Sequence, residues 1–171
     1  MKIRNIFVSG GAGYVGSVLI PQLLDMDYKV TSYDTCWFGD YLPRHHGLTV
    51  VKGDIRNLTM EDMKSHDAFI HLANISNDPS FDLDPSLSQS INFDCFEYIV
   101  QEAKRAGVQR FINCSSSSVY GLSENPEVKE DHPLVPMTLY NKFKGLCEPL
   151  LFKHQSDSFT TVNIRPATVC V

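Results

Sequence analysis

Tyr140 and Lys144 stand four residues apart in Thr138-Leu-Tyr-Asn-Lys-Phe-Lys144, downstream of Ser116 in the run Cys114-Ser-Ser-Ser-Ser-Val-Tyr-Gly121. On a helix this spacing puts a phenol and an ammonium on one face as close neighbours. A nearby cation favours phenolate over phenol, which lowers a tyrosine pKa and equips it to take a proton. A serine hydroxyl beside the pair can hold a substrate hydroxyl while its proton leaves. The chemistry anticipated is oxidation at an alcohol, and it needs an acceptor for the hydrogen on carbon.

The first 35 residues read as the place for that acceptor. Lys2 to Ser9 carries Ile3, Ile6, Phe7 and Val8, a short apolar run with β-branched residues that predicts a strand. Gly10-Gly-Ala-Gly13-Tyr-Val-Gly16 follows directly, and Ser17-Val-Leu-Ile-Pro-Gln-Leu-Leu continues with helical periodicity. Glycines permit the tight turn and let backbone approach a pyrophosphate, while a helix N-terminus offers free N–H groups to the anion. Pro21 is expected to kink this helix or to mark its first turns. The next apolar run, Lys29 to Tyr33, ends in Asp34, and no arginine follows before Arg44. An acid there accepts bonds from a ribose diol and repels a 2′-phosphate, so NAD is expected rather than NADP.

Strand and helix patterns alternate to the end. Further strands are predicted at Leu48–Lys52, Ala68–Ala73, Arg110–Cys114 and Phe159–Ile164, and a long helix over Leu87–Ala106 is closed by Gly107. Gly121 to Pro136 is a polar, proline-containing loop, and the Tyr140 helix runs to about His154. Such alternation implies an α/β fold with a doubly wound parallel sheet and ligands at the carboxyl ends of its strands. Asp34, Asp54, His71–Ser76, Ser115–Ser118 and Arg165–Thr168 all fall at those ends, so one site is expected to unite them.

With 171 residues, one domain is the expectation; 43% apolar and 20% charged residues suit a soluble core. A net charge of −5 without a basic stripe argues against nucleic acid as a partner. No apolar run approaches the ~20 residues of a membrane helix, so no membrane partner is expected. Five scattered cysteines (36, 95, 114, 147 and 170) read as reduced thiols of a cytoplasmic protein. His45-His46 lacks a carboxylate or thiol at ligand spacing and reads as solvated loop, with no metal expected. Trp37 and Phe38 either flank a bound adenine or pack in their loop. His71 reads as structural, and Glu127, Glu130 and Asp131 as an acidic solvated loop.

The set Gly10-x-x-Gly13-x-x-Gly16, Asp34, Gly53-Asp-Ile55, His71-Leu-Ala73, Ser116-x-x-Val-Tyr-Gly121 and Tyr140-x-x-x-Lys144, in this order, resembles the extended short-chain dehydrogenase/reductases. Within them it is most similar to the NAD-dependent nucleotide-sugar epimerase/dehydratase branch, over essentially the whole chain. The resemblance implies a Rossmann fold spanning residues 1–171, NAD as cofactor and a nucleotide-sugar as substrate, with homo-oligomers allowed. It further implies that Gly10, Gly13, Tyr14 and Val15 cradle the pyrophosphate and that Asp34 binds the adenosine ribose. Asp54 and Ile55 border the adenine, and Leu72, Ala73 and Asn74 line the middle of the cofactor. Asn92 supports the strand ends, Ser115 lies on the cofactor side, and Pro166 and Ala167 lie beside the nicotinamide. Tyr140 is then the catalytic base, Lys144 binds the nicotinamide ribose and lowers the tyrosine pKa, and Ser116 orients the sugar hydroxyl. Ser117, Ser118 and Thr168 face substrate.

Three departures qualify the resemblance. Ser117 and Ser118 stand where the branch's dehydratases carry an Asp-Glu pair, which favours epimerase over 4,6-dehydratase chemistry. Asn74 replaces a small residue, and Thr168 replaces an asparagine that meets substrate. Relatives continue into a seventh strand and a C-terminal substrate domain, whereas this sequence ends Arg165-Pro-Ala-Thr-Val-Cys-Val171. Two readings follow: an NAD-dependent epimerase or related oxidoreductase acting on a nucleotide-sugar, or an NAD-binding module without turnover.

Overall fold

A computed structural model of the chain describes residues 3–124 and 126–169. Six parallel strands form one sheet: β1 (Asn5–Ser9), β2 (Lys29–Asp34), β3 (Leu48–Lys52), β4 (Ala68–His71), β5 (Arg110–Cys114) and β6 (Thr160–Ile164). Their order across the sheet is β3-β2-β1-β4-β5-β6, so the chain reverses its direction of winding between β1 and β4. This is the expected doubly wound arrangement, with its crevice at the carboxyl ends of β1 and β4. Of the first predicted strand, Lys2 lies outside the described residues.

Alternation along each strand sends side chains to two cores. Ile6, Val8, Val30 and Ala68 meet Ile20 and Leu24 of helix α1 (Tyr14–Asp25) on one face. On the other, Phe7, Phe69 and Phe111 stand side by side in register and stack at ring separations of 5.2 and 4.7 Å. That aromatic row lies beneath helices α5 (Phe96–Arg105) and α6 (Leu139–Phe152). Fully burying such aliphatic and aromatic side chains stabilises by about 1.5–3 kcal/mol each, so the row anchors the strands that carry the site.

The long helix expected over Leu87–Ala106 is present but interrupted. α4 (Pro85–Gln89) runs into a π-helical turn at Ser90–Asp94 before α5 begins. The turn directs Asn92 at the loop after β4, where its Nδ2 donates to Ile75 O at 2.9 Å and its Oδ1 accepts from Ile75 N at 2.8 Å. π-turns of this kind are frequent at functional sites. Gly107, at φ +86°, ends the helix as expected. Pro21 lies inside α1, past its midpoint, and so does not mark its first turns. Two short helices escaped the periodicity: α2 (Met60–Met63), begun by a capping box of Thr59 and Asp62, and α3 (Asp78–Leu83). No helix among the described residues is long and apolar enough to cross a membrane. Cys36, Cys95, Cys114 and Cys147 are free thiols, while Cys170 lies outside the described residues.

His71 is buried beneath Phe96, Phe69 and Phe111 and shares a 2.9 Å hydrogen bond with Ser9 Oγ. Burial drives its pKa from 6.5 down to about 3, with Lys144 adding to the effect. The unfolded chain therefore binds a proton that the folded chain refuses. Stability is fully present above pH 6.5 and falls as pH drops toward 3. His71→Asn is expected to flatten that acid slope in urea-unfolding measurements between pH 7 and 4; an unchanged slope contradicts the assignment.

Candidate active site

The turn after β1 is built around close backbone approaches. Gly10 has φ +74°, and a Cβ there would lie 2.5 Å from Ala73 N. A Cβ on Gly16 would fall 2.3 Å from Gly11 O, so α1 can seat against the turn only with glycine at this position. Gly13 differs: its nearest neighbour would be Gly10 O at 3.2 Å, so its missing side chain leaves room outside the fold. Gly13 is also the N-cap of α1, without a side-chain cap and without an acidic residue in the first turn. An N-terminus of this kind with an open glycine face suits a diphosphate.

Asp34 ends β2 directly beside that turn. Its Oδ2 accepts from Ala12 N at 3.0 Å and its Oδ1 from Cys36 N at 2.8 Å. A carboxylate has about four acceptor positions, so two remain for a diol. The residues present therefore fit the ribose and pyrophosphate of a dinucleotide. Past β3, the expected adenine border is rearranged. The Asp54 carboxylate takes a 2.5 Å ion pair from Arg56, which holds its pKa low, and Ile55 packs into the core. The Asp54 carboxylate is thus engaged by Arg56 while staying partly exposed, and only Ile55 is withdrawn into the core. Trp37 and Phe38 are largely exposed on the loop beyond Asp34, so loop packing does not account for them.

The other side of the crevice holds the candidate chemistry. Tyr140 and Lys144 lie one turn apart on α6, whose first turn is capped by Thr138. Lys144 is buried and its Nζ donates to Cys114 O at 2.7 Å, fixing α6 to the end of β5. The ammonium lies 5.8 Å from the Tyr140 ring centroid. The expectation that Lys144 lowers the Tyr140 pKa is corrected here. Burial pushes Tyr140 up to about 12, with the charges of Cys114 and Asp78 adding to it, and an N–H bond from Asn77 offsets only part. One of the three ammonium donors goes to a carbonyl, and burial lowers the pKa of Lys144 itself.

Ser116, Ser118 and the α6 residue Asn141 form a row beside this pair. The two serine hydroxyls are 2.5 Å apart, and Ser118 Oγ donates to Asn141 Oδ1 at 2.5 Å. Ser115 points elsewhere: its buried hydroxyl donates to Glu148 Oε1 at 2.6 Å, so it offers no side chain to the cofactor side. Ser117 is tied through its N–H to Pro166 O at 2.9 Å, while Ala167 and Thr168 are exposed beyond β6. Across the crevice Leu72 packs toward α1, Ala73 abuts Gly10, and Asn74 Nδ2 donates to Ala73 O at 2.6 Å. The Asn74 Oδ1 is buried without a partner, an acceptor still to be answered. Among the described residues no three His, Cys, Asp or Glu side chains gather as a metal site.

Sequence reading passed over Glu148 and placed Arg165 at a strand end without giving it a role. Glu148, one turn past Lys144 on the same helix face, is buried and accepts from Arg165 Nη2 at 2.5 Å and Nε at 2.9 Å. Arg165 also donates to Tyr120 Oη at 2.7 Å and Glu130 O at 2.9 Å. This pair joins the β5 end, the Ser117–Tyr120 turn, the 121–136 loop, α6 and the β6 end. The signal was the spacing Tyr140, Lys144, Glu148, which repeats every four residues on one face.

Residues 6–170 match the family described as the NAD dependent epimerase/dehydratase family. A UDP-glucose 4-epimerase of Rhizobium meliloti is 30% identical over 88% of this chain and 47% of its own length. A 3 beta-hydroxysteroid dehydrogenase/Delta 5→4-isomerase of Mycobacterium tuberculosis is 30% identical over 98% of this chain and 48% of its own length. Among solved structures, a UDP-N-acetylglucosamine 4-epimerase from Methanobrevibacter ruminantium, in complex with UDP-N-acetylmuramic acid, superposes with a TM-score of 0.87. It is 32% identical, over 96% of this chain and 55% of that one. The Bordetella bronchiseptica enzyme WbmG, in complex with NAD, gives 0.83 at 27% identity over 96% of this chain and 53% of that one. The chain thus spans about half the length of the relatives it matches. Its glycine turn, its strand-end acid and its Ser/Tyr/Lys crevice accord with that match, and the chain belongs to the NAD-dependent epimerase/dehydratase family.

Proposed function

We propose that residues 1–171 form one NAD-binding domain of an epimerase that acts on a nucleotide-sugar by transient hydride transfer. The observation that carries this reading is the meeting of Ser116, Tyr140 and Lys144 with the glycine turn and Asp34 at one edge of the sheet. NAD, when bound, accepts a hydride from a carbinol carbon and returns it. Gly10, Gly13, Tyr14 and Val15 hold the diphosphate; Asp34 accepts the adenosine ribose hydroxyls. Asp54 and Ile55 border the adenine. Leu72, Ala73 and Asn74 line the middle of the cofactor, with Asn92 holding their loop, and Pro166 and Ala167 lie toward the nicotinamide. Lys144 holds the nicotinamide ribose. Tyr140 removes the hydroxyl proton, Ser116 holds that hydroxyl, and Ser117, Ser118 and Thr168 face the sugar. The absence of an acid at positions 117 and 118 supports epimerisation over dehydration. The domain is cytoplasmic on this reading, in keeping with its free thiols.

A sterol alcohol is the second reading, because steroid dehydrogenases are as similar to this chain as the sugar epimerases are. Proton NMR of the NAD-loaded chain with UDP-hexoses tests the first reading. Appearance of the epimeric sugar supports it, and NADH accumulation with a 3β-hydroxysteroid but with no sugar replaces it by the second.

Asp34→Ala is expected to weaken NAD by about tenfold or more and NADP far less, since only the unphosphorylated ribose offers both hydroxyls to the lost carboxylate, and a 2′-phosphate is repelled by it. Calorimetric titration with both cofactors checks this, and an equal loss for both removes the reason for choosing NAD.

A further inference from the structure

Three large aromatic side chains stand open to solvent on the loop that leaves the Asp34 end of β2. Trp37 is 58% exposed, Phe38 87% and Tyr41 83%. The chain turns tightly there. Asp34 Oδ1 accepts from Cys36 N at 2.8 Å, and Cys36, at φ +54°, occupies the left-handed region that few non-glycine residues enter. Gly39 N donates to Cys36 O at 3.1 Å, which makes Trp37 and Phe38 the two central residues of a turn. Gly39 closes it at φ +100°, where a Cβ would lie 2.7 Å from the Tyr41 ring. Turn tips are the usual place of glycine, proline, asparagine, aspartate and serine. Two large aromatics there leave apolar area in water with no gain to the fold. Residues 36–41 also lie outside the glycine turn, the strand-end acids and the Ser/Tyr/Lys set.

One carboxylate ties this turn to the place of the adenosine ribose. Asp34 binds Cys36 N with one oxygen and Ala12 N of the glycine turn with the other. The aromatic turn and the diphosphate cradle thus share an anchor. Trp37 follows Asp34 by three residues, at most about 11 Å of chain, so a base joined to a ribose on Asp34 comes within reach of the indole. Of the two central residues, Trp37 keeps the larger contact with the protein and presents the larger π face.

We propose that Trp37 caps the adenine of bound NAD by stacking on its face, holding the dinucleotide by the half that takes no part in hydride transfer. A π face asks for no donor or acceptor, so the cap adds affinity without competing with Asp34 for the ribose. NAD itself is the cofactor of the family. Only the benefit of slow release, to a reaction that regenerates its cofactor at every cycle, rests on the proposed epimerisation.

The chain has one tryptophan, so its emission reports this contact. Titration with NAD, followed by tryptophan fluorescence and by calorimetry on the same samples, is the test. NAD and ADP-ribose are each expected to quench the emission and shield the indole from acrylamide. Nicotinamide mononucleotide, which lacks adenine, should do neither. Trp37→Ala is expected to weaken NAD about tenfold, a common loss for removing one base stack, and Trp37→Phe to restore most of it. Phe38→Ala should stay within about twofold of wild type. Without NAD, the urea midpoint of Trp37→Ala should match wild type, because an exposed ring contributes little to the fold. The extra stability that NAD confers should shrink in the same variant.

A lower midpoint without NAD, together with unchanged NAD affinity, would make Trp37 structural and overturn the proposal. Calorimetric NAD binding with an unquenched, acrylamide-accessible tryptophan overturns it as well. So does a loss from Phe38→Ala as large as that from Trp37→Ala. Quenching that follows protein concentration rather than NAD gives the aromatics to contacts between copies of the chain and also overturns the cap. A chain that binds no NAD loses the cofactor site and the cap together, whereas each of the other failures removes the cap alone.

Discussion

Tyr140→Phe is expected to lower epimerase turnover by about 10²–10⁴-fold while leaving NAD affinity nearly unchanged, the range for removing a positioned proton-transfer group. Only the phenolic oxygen is lost. The ring keeps its place on α6, and Lys144 remains tied to Cys114 O. The Asn77 N–H loses its acceptor, which costs on the order of 1 kcal/mol and does not threaten the fold. Because burial holds Tyr140 at about 12, the phenolate that acts as base is scarce at neutral pH. The value of kcat/KM should therefore rise with pH through the neutral and mildly alkaline range in the wild type, and that dependence should vanish in the variant. Steady-state rates and a cofactor titration on the same preparations check both parts. A variant with wild-type turnover removes Tyr140 from the chemistry.

Glu148→Ala is expected to be the most destabilising single change near the site, by about 3–5 kcal/mol, the range for stranding one member of a buried ion pair. The Arg165 side chain is only 17% exposed, and Ser115 loses its acceptor at the same time. Against a typical total of about 5–15 kcal/mol this is a large fraction. Glu148→Gln keeps the shape and one acceptor but not the charge, so an intermediate loss is expected. Urea unfolding of the three chains measures this directly; a loss below about 1 kcal/mol for the alanine variant would show that the pair carries little.

The two changes separate what the crevice does from what holds it open. Tyr140 touches the reacting atoms in the proposed reaction, whereas Glu148 and Arg165 set where Ser116 and Tyr140 stand relative to one another. A long-range tie of this kind is hard to read from sequence. Glu148 is 17 residues from Arg165 and 33 from Ser115 along the chain, and no local period links them. The same holds for Asn92, whose amide bonds to Ile75 depend on a π-turn that apolar periodicity cannot announce. What was legible is what local rules govern. Apolar runs placed all six strands within a few residues, and the glycine spacing gave the turn whose close approaches leave no room for a Cβ at Gly10 or Gly16. Asp34 and the Tyr140/Lys144 pair lie at the expected sheet edge because alternation of strands and helices brings all carboxyl ends together. The pKa of Tyr140 was misjudged for a physical reason. Sequence spacing places a cation one turn away, but it cannot tell that the cation will bond a carbonyl or that the phenol will be buried. The ion pair of Asp54 with Arg56, two residues on, was likewise not foreseen.

The proposed function requires this chain to move a hydride. The direct measurement loads it with NAD, adds UDP-hexoses carrying deuterium at the carbinol carbon, quenches within a turnover and weighs the released cofactor by mass spectrometry. The account predicts a single deuterium on the nicotinamide with at least one sugar, and its loss in Tyr140→Phe. Proven NAD binding with no label on the cofactor from any sugar would contradict it and leave an NAD-binding module without turnover on nucleotide-sugars.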